Sequence, residues 1–225
     1  MTITHHPDAA TLMSYAAGSL PEPLAAIVAC HAAVCPACRR EIEWLELAGG
    51  EFVSQLPETA MSSRPLGASE IGARAARPGK ASPAGSRSSR TIEAVPSGDV
   101  PGPLVPLVGP SLDKVSWKYM APGIRHVRLP LSKGVKGDLR LFKVAPGRAM
   151  PDHGHGGAEM TLLLAGSYTD EFGRFARGDV ADLDTDAEHQ PVADKDEGCI
   201  CLIATIEPAR YKGLLARLAQ PFVGI

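Results

Sequence analysis

Apolar residues recur with a helical period early in the chain and with a two-residue period late in it. A stretch with neither period lies between. Asp8 can cap a helix that starts just after Pro7; Leu12, Tyr15 and Ala16 follow at helical spacing, and Gly18 suits the position beyond its end. Ser19 with Pro21 signals a second start, after which Leu24, Ile27, Val28 and His31 repeat at i, i+3, i+4, i+7. Cys35-Pro36 reads as the N-cap and first position of a third helix. That helix carries Ile42, Leu45, Ala48, Phe52 and Val53 on one side and Arg39, Arg40, Glu43 and Glu46 largely on the other, with Gly49-Gly50 as a weak point.

Between Pro57 and about Pro110, proline, glycine, serine, alanine and arginine dominate and aromatics are absent. Residues 77–90 lack the apolar surface to offset the entropy of ordering, so a flexible tether is expected. The basic residues there (Arg74, Arg77, Lys80, Arg87, Arg90) read as a solvated stripe. Residues 66–76 suggest a short fourth helix, weakened by Gly67 and Gly72. From Ser111 onward, segments 115–120, 124–129, 139–144, 159–164, 167–170, 179–183 and 199–205 are expected strands. Separated by Gly- or Pro-containing turns, they predict an antiparallel sandwich or small barrel. The apolar tail 213–225 is expected to pack on the sheet.

Composition narrows the classes. A net charge of −2 gives no general case for nucleic-acid binding. The first residues lack the basic and apolar regions of a signal peptide, and no apolar run approaches a membrane span of about 20 residues. A cytosolic protein is expected. Five cysteines, three of them crowded near one histidine, point in a reducing compartment to metal binding or redox chemistry and not to a disulfide framework.

His31, Cys35 and Cys38 supply one imidazole and two thiols within eight residues. At the junction of two helices all three can face one point, the arrangement of a tetrahedral zinc site. His5 and His6 are the nearest fourth donors, and either would tie the first helix to the others. Cys30 points about 100° away from His31 on a helix and reads as a buried small side chain.

A second cluster lies more than a hundred residues downstream. His153 and His155, two apart, point to one face of a strand. Glu159 keeps the same parity beyond Gly156-Gly157, so two imidazoles and a carboxylate converge on one ion. A further histidine is expected from a later strand, and His189 is the only one left C-terminal to this set. Three His and one Glu suit Zn, Mn, Fe or Ni. Cys199 and Cys201 share a face of one strand, as core cysteines or, inside a barrel, as a redox pair near the metal. His126 reads as a plain strand histidine without a partner, and Glu188 as a weak acid–base candidate.

The spacing His31-x3-Cys35-x2-Cys38 with an N-terminal histidine resembles the zinc-binding anti-sigma motif. Gly147-x5-His153-x-His155-x3-Glu159-x6-Gly166 is similar to the first cupin motif, followed by a degenerate second one at Ala176-Arg177-Gly178. Together they resemble the ChrR family of cytoplasmic anti-sigma factors. The resemblance implies an all-α zinc-binding anti-sigma bundle (1–76), a linker (77–110) and an all-β cupin sensor (111–225), a double-stranded β-helix or jelly-roll barrel. It implies structural zinc on His6, with His31, Cys35 and Cys38, where chemistry alone left His5 and His6 open. A second divalent metal, zinc first among the candidates, is implied on His153, His155, Glu159 and His189. The implied partner is an extracytoplasmic-function sigma factor of the sigma-E type in a 1:1 complex, released on a singlet-oxygen-like signal, with no catalysis, nucleic acid or membrane involved. A metal-dependent cupin dioxygenase or isomerase with a helical docking module is the alternative.

Overall fold

The computed structural model describes residues 2–57 and 99–211, with side chains up to Ala209. Three helices open the chain: α1 (Ala9–Ala16), α2 (Glu22–Val34) and α3 (Pro36–Ser54). Asp8 caps α1, its Oδ1 accepting from Thr11 N at 2.6 Å, and Gly18 follows the helix with φ +69°. Pro21, not Ser19, occupies the N-cap of α2. This is two residues past Ser19, whose Oγ instead donates back to Ser14 O. Cys35 ends α2 and begins α3, with Pro36 in the first helical position, where its missing N–H has no partner to lose.

Residues 99–108, inside the expected tether, are ordered by packing. Val100 and Leu104 are buried, and a short 3-10 turn (Gly102–Leu104) leads into α4 (Val105–Val108). The remainder of the expected linker and fourth helix, and the apolar tail, lie outside the described residues.

Eleven strands follow among the described residues. The long strands β1 (Lys118–Ala121), β2 (Ile124–Arg128), β3 (Asp138–Val144), β10 (Cys199–Thr205), β5 (Glu159–Asp170) and β6 (Gly173–Ala176) line up in that order in one antiparallel sheet. Strand β5 also carries β7 (Val180–Leu183) and β9 (Val192–Ala193). A smaller sheet joins β11 (Arg210–Tyr211), β4 (His153–Gly154) and β8 (Glu188–His189).

Strand alternation builds two cores. One face of the large sheet sends Phe142, Leu163, Tyr168, Phe175, Cys199 and Cys201 into the barrel. The opposite face sends Leu141, Leu162 and Leu202 against Leu24, Ile27 and Val28 of α2, in one continuous core. The helical module and the barrel therefore share a hydrophobic interior, where the composition had suggested two bodies on a tether. Ile27, Val28, Leu141, Leu162 and Leu202 are fully excluded from solvent there. At about 25 cal/mol per Å² this apolar burial dominates the module's docking.

The far half of α3 projects from the core. Its expected apolar face splits: Ile42 is buried and Leu45 and Ala48 half-buried, but Phe52 and Val53 are exposed, Phe52 at 72%; Trp44 and Leu47, outside that face, are exposed as well. The helix runs on through Gly49-Gly50.

Candidate metal centres

Two four-donor clusters form among the described residues, each with ligand atoms within 4.8 Å of one another. The first unites His6, His31, Cys35 and Cys38. His31 ends the buried face of α2; Cys35 sits at the α2–α3 corner; Cys38 lies in the first turn of α3; His6 arrives from the extended segment before α1. Of the two N-terminal histidines, His6, itself exposed, joins the donor set, whereas the His5 ring packs on Phe175 with centroids 4.4 Å apart.

The spacing of the first cluster suits a tetrahedral ion. His6 Nδ1 lies 3.4 Å from His31 Nε2, 3.5 Å from Cys35 Sγ and 3.3 Å from Cys38 Sγ, and His31 Nε2 lies 3.3 Å from Cys38 Sγ. Zinc bonds of about 2.0–2.1 Å to nitrogen and about 2.3 Å to sulfur give tetrahedral edges of about 3.4 and 3.6 Å. Burial favours neutral groups here. It pulls the His31 imidazole down to about 4 and, with the neighbouring Cys35, pushes the Cys38 thiol up to about 12. Converting such a thiol to thiolate needs a cation, which fits a bound divalent metal that releases protons as it enters.

The second cluster unites His153, His155, Glu159 and His189, all buried. Strand β4 pairs with β8 so that His153 faces His189, their Nε2 atoms 3.3 Å apart. Glu159, at the start of β5, places Oε1 3.5 Å from His155 Nε2, 3.8 Å from His189 Nε2 and 4.0 Å from His153 Nε2. Each imidazole uses its other nitrogen outward: Nδ1 of His153 to Pro151 O at 2.8 Å, of His155 to Asp184 O at 3.2 Å, and of His189 to Asp170 Oδ2 at 2.9 Å. With protons on Nδ1, all three Nε2 lone pairs turn inward, the orientation metal-binding histidines acquire from their outer partners. Nε2 of His155 is buried and has no hydrogen-bond partner, an orphan that an ion would satisfy. Burial raises the cost of the Glu159 carboxylate, but the hydrogen bond and charges of the imidazoles outweigh it and hold its pKa below the usual range.

A cavity of about 50 Å³ adjoins this cluster, lined among others by Phe142, Thr161 and Tyr168. The Tyr168 hydroxyl is buried without a hydrogen-bond partner. Cys199 and Cys201 face the barrel interior from β10 but belong to neither four-donor set. A hydrogen bond from Cys201 holds the Cys199 thiol below its usual pKa, while that bond and burial push Cys201 up. Cys30 is buried, as its position on α2 suggested, and desolvation raises its pKa to about 12.

Two readings of single residues change. His126 is not unpartnered, since its Nδ1 lies 3.2 Å from Arg140 Nη1. Glu188 is exposed on the rim, with its Cγ against Gly154, outside the donor set.

The outer partners were missed. Asp170 is a lone acid at the end of a strand, and Gly178, Asp184 and Pro151 act through carbonyls that no side-chain pattern reports. Asp179 stands in the sequence only as the first residue of an expected strand. Its carboxylate accepts from Thr4 N at 2.7 Å, His5 N at 3.1 Å and Ala176 N at 2.9 Å, which outweighs its burial and lowers its pKa. His31 Nδ1 meets Gly178 O at 2.9 Å.

Among known proteins, the ChrR cupin-like domain model matches residues 108–208. The Anti-sigma-E factor ChrR of Cereibacter sphaeroides is 37% identical over 225 residues, covering 100% of both chains. A chain in the crystal structure of Rhodobacter sphaeroides SigE in complex with the anti-sigma ChrR superposes with a TM-score of 0.71 at 35% identity, covering 91% of this chain and 100% of that one. Among the described residues, no helix is long and apolar enough to cross a membrane.

Proposed function

The chain belongs to the ChrR family of anti-sigma factors, and on that premise we propose that it binds an extracytoplasmic-function sigma factor of the sigma-E type in a 1:1 complex. The observation that carries this reading is identity along the whole length of both chains to a protein named an anti-sigma-E factor. The helical module is the clamp, and the projecting half of α3 supports that role. Trp44, Leu47, Phe52 and Val53 of α3, and Leu56 just beyond it, are exposed large apolar side chains that a partner would cover.

In this reading His6, His31, Cys35 and Cys38 hold zinc, which when bound cross-links the segment before α1 to the α2–α3 corner. Cys35 and Cys38 give up their thiol protons, and His31 keeps its proton on Nδ1. His153, His155, Glu159 and His189 hold the second divalent metal, zinc first, with Mn, Fe or Ni also compatible. The barrel senses an oxidant of the singlet-oxygen type in the cytoplasm, and the complex then opens. The adjoining cavity of about 50 Å³ admits a few heavy atoms. It suits a small reactive species better than the organic substrate a cupin dioxygenase or isomerase would take, which favours a regulator over an enzyme. Release from mostly bound to mostly free needs about 5.5 kcal/mol of differential stability, more than one surface contact supplies.

Co-expression with the sigma factor tests the reading. Wild type is expected to co-purify with it. Cys35→Ser with Cys38→Ser is expected to lose one zinc and the sigma factor while the barrel stays folded. Undiminished capture by the double variant would reject the clamp.

A further inference from the structure

One short segment, residues 178–184, touches both clusters. At its start Gly178 O accepts from Nδ1 of His31 at 2.9 Å. At its end Asp184 O accepts from Nδ1 of His155 at 3.2 Å. Between them runs β7, paired on one edge with β5 so that Leu183 is the direct partner of Glu159. Thus the far end of the segment adjoins two members of the barrel cluster. A strand of this length spans about 20 Å, since each residue advances about 3.3 Å.

The other edge of β7 is covered by the residues around His6. Val180 N donates to His5 O at 3.1 Å, and Asp8 N donates to Asp182 Oδ2 at 3.1 Å. The carboxylate of Asp179 gathers the N–H groups of Thr4 and His5. His6 is therefore held from both sides by the barrel, and His31 by the carbonyl next to that carboxylate. Two of the four donors of the N-terminal cluster depend on β7 for their position.

We propose that segment 178–184 mechanically couples the two clusters, with Gly178 and Asp179 as positioning residues of the N-terminal donor set, so that rearrangement at His155 and Glu159 displaces His31 and His6. Thr4, His5 and the α2 terminus follow this segment because their bonds to Asp179 and Gly178 are part-buried or buried, and such bonds are costly to leave unmade; the Asp8–Asp182 bond is exposed and adds less. The inference rests on the reading that both clusters hold metal. It gives a route through the shared core for a signal that a tether could not transmit.

The test uses the full chain. Cobalt(II) in the Cys35–Cys38 set gives a thiolate charge-transfer band that an all-nitrogen-and-oxygen set lacks, so the N-terminal site is read separately. His155→Ala is expected to speed chelator-driven loss of that band tenfold or more and to accelerate amide exchange at Thr4, His5 and Val180 by a similar factor. Asp179→Ala is expected to speed loss of the band with the barrel metal retained, and Asp179→Asn, which keeps an acceptor, to fall nearer wild type. Stepwise chelation of the wild-type protein makes the same comparison without a substitution: emptying the barrel site must accelerate exchange at Thr4, His5 and Val180. Identical exchange with the barrel site filled and emptied overturns the proposal. Sigma-factor capture is scored separately, so failure of the clamp and failure of the coupling give different results.

Discussion

His189 Nδ1 lies 2.9 Å from Oδ2 of Asp170, a carboxylate with no solvent exposure of its own. The bond fixes the tautomer that turns Nε2 toward Glu159. Asp170→Asn keeps the shape and removes the charge; metal affinity at the barrel site is expected to fall about 10–100-fold, with Asp170→Ala at the upper end. Competition with a chromogenic chelator measures it. An affinity equal to wild type in both variants would remove Asp170 from the site.

Ile27 is fully buried where α2 meets the sheet. Ile27→Ala is expected to cost about 2–5 kcal/mol, through lost apolar burial and the cavity left behind. Because the core is shared, thermal unfolding followed at the helices and at the barrel should shift together. A shift confined to the helical signal would mean the two parts melt independently.

The metal-free protein should lose stability in mild acid. Burial lowers the His31 pKa from 6.5 to about 4, so the unfolded chain binds this proton more tightly than the native one. The stabilising contribution is complete above about pH 6.5 and disappears as pH falls through about 4, a change of about 3 kcal/mol. Denaturant titrations of chelated protein across that window check the sign, and His31→Gln should flatten the profile.

Trp44 is 62% exposed on the projecting part of α3. Trp44→Ala is expected to change stability by no more than about 0.5 kcal/mol, as surface positions do. Affinity for the sigma factor is expected to fall tenfold or more, as at an aromatic anchor. Calorimetric titration distinguishes this from a general folding defect.

The Tyr168 hydroxyl has no partner inside the barrel. Tyr168→Phe removes a desolvated polar group, so melting temperature should hold or rise slightly in the apo protein. A marked drop would reveal a hydrogen bond the static geometry lacks.

Much of this arrangement was legible in the chain. Asp8, Gly18 and Cys35-Pro36 mark helix ends by local chemistry, and the structure has all three in those roles. His153, His155 and Glu159 do come together, but not by one strand's parity: His153 lies in β4 and Glu159 in β5, strands of different sheets, and His155 sits between them outside any strand, before the bend at Gly156-Gly157. Beyond the His153–His155 pair at β4, the two-residue strands β8, β9 and β11 left no periodic trace. The docking of α2 on the sheet was also hidden. Its buried face of Leu24, Ile27 and Val28 looks the same whether it meets another helix or a barrel. The contact of His31 with Gly178 spans 147 positions and ends on a backbone oxygen. Phe52 and Val53 fit the helical period of α3 but extend past the core that would cover them.

The bonds from Thr4 and His5 to Asp179 join residues 175 and 174 positions apart. During synthesis at about 5–20 residues per second, the helical module, complete at Ser54, therefore leaves the ribosome roughly 6–25 s before the segment that will hold its leading residues. For that interval its donor set has only its own helices to organise it. Whatever ion or sigma factor reaches the nascent module first meets helices with no barrel behind them, and the barrel docks on a donor set already free to close.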